Sequence, residues 1–241
     1  MLKKYIIFAL IAILGFYLAS TFKEIPFGAN RLGDLNDPET VSAFYLQKSP
    51  EDLHVANAIT AIVVNFRGFD TLGEVTVLFL AVTGLTSILY RKEEEEDEEE
   101  RLSIPSSSLV RTGAKILFPL ILVLGMYVFI HGHLTPGGGF QGGAIIATGF
   151  LLMLITYKTF FTNHNVMTWL ESIAGLGFVI AGLYGLIVYG SFLQNTAWTG
   201  NLNDLLSGGL IPLIYIFIGL KVGTELTSVL DILLNIKPRK K

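Results

Sequence analysis

The stretch "FIHGHLTPGGGFQGGAI", residues 129–145, separates two strongly apolar runs. Two histidines close the first run, five glycines fall within seven residues, and the chain then turns apolar again. A phosphate-cradling loop needs Lys-Ser/Thr after its glycines, and none follows here. His131 and His133 offer two imidazoles, but no carboxylate or third histidine stands near them in sequence, and zinc takes three or four ligands. No metal site is expected. The remaining reading is a hinge between two membrane spans. Pro136 would end a helix, and Gly137, Gly138 and Gly139 open backbone angles closed to other residues. Gly138 and Gly142, or Gly139 and Gly143, stand four apart and would let a neighbouring helix come close. The expectation is a tight reversal packed against another protein, with His131 and His133 as candidates for a proton path.

The composition around this loop agrees with a membrane setting. Of 241 residues, 51% are hydrophobic and only 15% charged, far from soluble averages, and the mean hydropathy is +0.58. The apolar residues come in long blocks, and a span needs roughly 20 of them. The class is therefore all-α integral membrane protein. There is no cysteine, which excludes disulfides, a thiol nucleophile and an iron–sulfur cluster held by thiolates. No cofactor is expected in this chain.

About six transmembrane helices are predicted, two plus four. The first, 5–22, follows Lys3 and Lys4. A signal peptide would start similarly, but the apolar run is long and no convincing cleavage motif follows, so an uncleaved span is preferred. Residues 23–56 read as an exterior loop, and "VANAITAIVVNF" (55–66) as a segment too short to span, interfacial or partly buried. The second span is placed at 72–90. Then comes "RKEEEEDEEERLSIPSSS" (91–108), whose eight consecutive acids repel one another and suit a disordered, solvated tether. The remaining spans are placed at 111–131, 141–161, 168–190 and 207–230, the last with a bend at Pro212 and an interfacial continuation after Leu220.

This pattern divides the chain into a two-span part (1–91), an acidic linker (92–108) and a four-span part (109–241). Twelve Lys and Arg residues fall at the termini or in even-numbered loops, against four opposite, all before or at the second span. By the positive-inside rule both termini and the tether are cytoplasmic.

Ionisable residues inside spans are costly and mark candidate sites. Lys221 and Glu225, four apart on one helical face, are able to pair. The competing reading ends the span near Lys221 and lets it snorkel to the surface. Glu74 closes Thr71-Leu72-Gly73-Glu74, a capping-box pattern that would start the second span, with Arg67 and Asp70 pairing at the surface. The functional alternative makes Glu74 a carboxylate that exchanges a proton or coordinates a cation. Glu171 lies near the start of its span, where a negative charge is favourable without any transport role, and is a weaker candidate. Gly175, Gly182 and Gly185 fall on one face of that helix and suggest a helix–helix contact.

Together, "FIHGHLTPGGGFQGGAI", "LESIAGLGFVIAGLYGL" and "IPLIYIFIGLKVGTEL" resemble the B subunit of Mrp-type multisubunit Na+/H+ antiporters, over residues 105–236. The same family includes one of the subunits of archaeal membrane-bound hydrogenases and related sulfur-reducing complexes. "NAITAIVVNFRGFDTLGEVTVLFLAVTGL" (57–85) is similar to the last two spans of the large A-type antiporter chain. In hydrogenase-type complexes that piece is a separate small protein. The fused, acid-tethered layout departs from the family pattern.

The resemblance implies a membrane subunit of a cation/proton antiporter module that helps form the sodium pathway and the interface between subunits. It implies a prokaryotic plasma membrane, other Mrp- or hydrogenase-type subunits as partners, Na+ and H+ as transported ions, and ferredoxin-linked redox subunits if the parent complex is redox-driven. It also raises Glu74 to a path residue beside Arg67 and Asp70, and makes His131, His133, Lys221 and Glu225 path or packing residues. No nucleic-acid partner is expected.

The alternative is a self-sufficient small carrier or channel. Such carriers often show inverted repeats, and no convincing repeat joins the two parts. An intramembrane enzyme finds no support either, because HExxH, Gly-x-Ser-x-Gly and a pair of intramembrane aspartates are all missing from the sequence. No catalytic site is expected in this chain.

Overall fold

A computed structural model describes residues 2–24, 40–89, 106–157, 160, 162–195 and 199–235. The described residues are all-helical, with no strand among them. The chain divides into two compact units, Met1–Phe44 and Tyr45–Lys241. The first holds α1 (Leu2–Glu24), a 23-residue helix over the first apolar run, and the start of α2 (Val41–Asp52).

The second unit carries the bundle. Its elements are the rest of α2, a short helix α3 (Ala58–Ala61), and a π-helical turn (Ile62–Phe66). Then come α4 (Gly68–Leu89), α5 (Ser108–Ile130), α6 (Gly139–Thr156), α7 (His164–Tyr189) and α8 (Ile211–Asn235). Among the described residues five helices, α4 to α8, are long and apolar enough to cross a membrane. Helix α8 is the hub. It packs against α4, α5, α6 and α7, and 56% of its span is buried, against 11% for α4.

Helix-to-helix contact in a bilayer draws on close packing and hydrogen bonds rather than on removal of water, which explains where the glycines stand. A Cβ on Gly143 would lie 2.8 Å from Gly219 O and 2.9 Å from Gly223 N, so α6 and α8 touch backbone to backbone. On the neighbouring face a Cβ on Gly142 would lie 2.7 Å from Gly125 O, which brings α5 equally near. The predicted close approach is present, and among the described residues it is made with α5 and α8.

Several predicted boundaries shift for local reasons. Helix α5 ends at Ile130, and Pro136 stands inside the reversal instead of ending the helix. Gly137 and Gly138 carry it at φ 150° and 156°, a region that disfavours side chains. Pro212 sits in the first turn of α8, where its missing N–H costs nothing, so no bend forms and the helix runs unbroken past Leu220. Helix α4 starts at Gly68, three residues before the expected cap. Thr71 is already inside it and donates to Val63 O rather than capping.

The short run at 55–66 is partly buried, with Thr60, Ala61 and Val64 inside and Ile59 exposed. The acidic run lies outside the described residues, as do the predicted end of the second span at residue 90 and the linker up to residue 105. The linker's final residues are part of the fold. Ser106 Oγ donates to Thr156 O, Ser107 caps α5 through Val110 N, and Ser108 is already helical.

Candidate functional site

Lys221 lies in the middle turns of α8, and its Nζ stands 2.7 Å from Glu225 Oε1 one turn further on. The second carboxylate comes from α7, where Glu171 Oε1 is 3.6 Å from the same ammonium. Phe79 of α4 presents its ring 4.8 Å from Nζ as a cation–π partner. Three helices thus meet at one charge. Gly175 of α7 faces the ammonium, and a Cβ there would sit in ordinary contact with it at 3.8 Å.

The cluster is enclosed. The Glu225 side chain is 0% exposed and that of Lys221 10% exposed. Glu171 and Glu225 thus face the same ammonium. The snorkelling reading fails on these facts, since α8 continues well past Lys221 and its ammonium is held by two acids. Glu171 also changes meaning. Helix α7 begins at His164, capped by Asn163, so Glu171 is about two turns in and beyond the reach of the helix-end effect.

The candidates at the start of α4 are arranged differently. Arg67 and Asp70 pair with each other on the surface. Glu74 is exposed and makes no ion pair among the described residues. The cleft beside this break has a volume of about 670 Å³ and is lined by Asp52, Asn65, Arg67, Asp70, Gln194 and Asn195 among others.

The glycine reversal forms a third polar region. His131 stacks on Tyr127 with its Nδ1 3.1 Å from Tyr127 O. His133 is 0% exposed and neither ring nitrogen meets a hydrogen-bond partner of good geometry. Burial holds its imidazole below the ordinary value, against weaker opposite pulls from nearby backbone, first at Asp204, while the charge of His131 adds a little in the same direction as burial.

Sequence reasoning missed what clamps this reversal. Asn57 caps α3 by accepting from Ile59 N and Thr60 N, while its amide donates to Gly132 O at 2.9 Å and Thr135 O at 3.0 Å. Thr60 donates to Gly132 O, and Tyr215 of α8 donates to Thr60. An asparagine just before an apolar run is a helix-start signal, but nothing local reveals its second set of partners. Among the described residues no group of His, Cys, Asp and Glu is placed to hold a metal ion.

Comparison with known proteins gives matches over two stretches of the chain. Residues 109–228 match the family model of a domain related to the MnhB subunit of Na+/H+ antiporters, and residues 31–101 match that of MbhE, a subunit of MBH. An uncharacterized protein of Methanocaldococcus jannaschii is 30% identical, over 72% of this chain and 75% of its own length. A probable A/B-type K+/H+ antiporter subunit of Rhizobium meliloti is 25% identical over 62% of this chain, which spans only 17% of that protein. Among solved structures, a chain of the membrane-bound sulfane sulfur reductase, an archaeal respiratory membrane complex, superposes with TM-score 0.76 and 43% identity, over 97% of this chain and 99% of that one. The chain thus belongs to the MnhB-domain family, membrane subunits of multisubunit antiporter modules.

Proposed function

We propose that this chain is a non-catalytic subunit of a multisubunit cation/proton antiporter, and that Glu171, Lys221 and Glu225 form a station on its ion path. The observation that carries this reading is the burial of one ammonium between two carboxylates in the middle of a span. Replacing buried ion pairs by apolar residues is often neutral or stabilising, so packing alone does not require such a cluster. Within spans, ionisable side chains mark pathways.

Glu74, Asp70 and Arg67 make a second station at the exposed face of α4, completed by a neighbouring subunit. His131 and His133 belong to the path or to its packing at the reversal. The assembly sits in a prokaryotic plasma membrane with both termini cytoplasmic, exchanges Na+ for H+, and couples to ferredoxin-linked subunits if it is redox-driven. Residues 1–91 and 109–241 act as two fused pieces, neighbours by necessity. The sulfur-reductase relative supports the redox-driven parent, and the antiporter relatives support the plain exchanger.

Native purification in mild detergent, with mass spectrometry of everything retained, tests the assembly. Large antiporter-like subunits are the expected companions, with iron–sulfur proteins beside them in the redox-driven case. A chain that arrives alone and still exchanges Na+ for H+ in liposomes contradicts it.

A further inference from the structure

The cluster on α7 and α8 has an odd charge count. Glu171 and Glu225 provide two carboxyls and Lys221 one ammonium, all in side chains at most 20% exposed. With every group ionised, the site would hold an uncompensated negative charge inside a span, at heavy cost. One more positive charge is required.

The oxygens decide what that charge is. Glu225 Oε1 stands 2.7 Å from Lys221 Nζ as an ion pair, yet neither of its two buried oxygens meets a hydrogen-bond donor of good geometry. The nearby carboxyl of Glu171 has no hydrogen to offer while both acids are ionised. A single proton shared by the two acids supplies a donor where the fully ionised pair has none. A sodium ion fits poorly. In membrane carriers it is coordinated by unwound backbone carbonyls, but α8 is unbroken from Ile211 to Asn235 and keeps its carbonyls in the helix. An ammonium 2.7 Å from the carboxylate would repel a metal ion as well.

We infer that the Glu171–Lys221–Glu225 site carries one exchangeable proton, shared by the two carboxyls, and does not take sodium. The inference rests on the path reading for its biological meaning but concerns the occupant of the site, which is measurable separately. Lys221 acts as the fixed counter-charge, and Glu225, the more buried acid, is the proton carrier.

The test is infrared difference spectroscopy on the purified complex. The wild type is compared with Glu225→Gln, Glu171→Gln and the shorter acid Glu225→Asp, in H₂O and D₂O. The expected result is a protonated-carboxyl C=O band that shifts in D₂O, vanishes in Glu225→Gln and also in Glu171→Gln, where the single remaining acid balances Lys221, and returns at a changed position in Glu225→Asp. Exchanging Na+ for choline should leave the wild-type band unchanged, a readout that needs no variant to fold. Identical spectra for wild type and Glu225→Gln, or loss of the wild-type band on adding Na+, overturn the inference. If Glu225→Gln loses the band yet keeps full antiport, the proton assignment stands and the path reading falls.

Discussion

Glu225 on α8 and Glu74 on α4 are both acids set in apolar runs, one a turn after a lysine and the other closing a capping-box pattern, and the fold treats them oppositely. Glu225 is fully buried, with a base from its own helix and a second acid from α7. Glu74 is exposed on the least enclosed of the five candidate spans, beside an Arg67–Asp70 pair that already satisfies itself. The difference lies in the helices. Helix α8 is surrounded by four others of this chain, so a charge on it must be compensated from within. Helix α4 leans on α8 by one side only, so a charge on its open face depends on whatever covers that face. The first acid belongs to this chain, the second to the assembly.

The contrast is broken most severely by removing the base. Lys221→Ala strands two buried carboxyls, and breaking a buried pair costs about 3–5 kcal/mol. The variant should lose thermal stability in detergent, or fail to accumulate, while Glu225→Gln is milder.

Next comes the close contact of α6 with α8. Gly143→Ala places a methyl against the backbone of Gly219 and Gly223, and overpacking of this kind costs about 1–3 kcal/mol. Gly113→Ala, whose Cβ meets nothing within 4 Å, is the control and should leave the melting temperature unchanged.

Asn57→Ala removes a helix cap and two hydrogen bonds to the glycine reversal together. The expected loss is roughly 1–2 kcal/mol, read by faster hydrogen exchange at both α3 and residues 131–138.

These outcomes bear on what was legible beforehand. The spans were readable because bilayer thickness fixes their length, and Lys221 with Glu225 because one turn of helix fixes their spacing. The third member was not readable. Glu171 meets Lys221 only through the packing of α7 on α8, and the sequence placed it a turn nearer the helix end. The small residues at 138–143 announced close contact but not with which helix, since glycine patterns carry no address. The capping box before Glu74 misled because the true start, Gly68, follows a π-helical turn that no local signal marks.

A smaller effect is expected at His133. Its imidazole titrates lower in the fold than in the unfolded chain, so below the unfolded value near 6.5 the unfolded state binds more protons. Stability is then full above that pH and declines as pH falls through the lowered folded value. His133→Gln should flatten this acid limb in a melting series, with His131 still present.

The smallest change is predicted for Glu74→Gln. Measured on this chain alone, melting should stay within about 0.5 kcal/mol of the wild type. Measured on the complex, antiport should fall, as the proposed second station completed by a neighbouring subunit requires.

The central claim is most directly tested by ion exchange in vesicles containing the complete complex with Glu225→Gln in this chain. The account predicts that all subunits still co-purify and that proton-coupled cation exchange drops at least tenfold, with partial recovery in Glu225→Asp, on the scale at which about 1.4 kcal/mol corresponds to a factor of about ten. Exchange at the wild-type rate from an intact Glu225→Gln complex would contradict it.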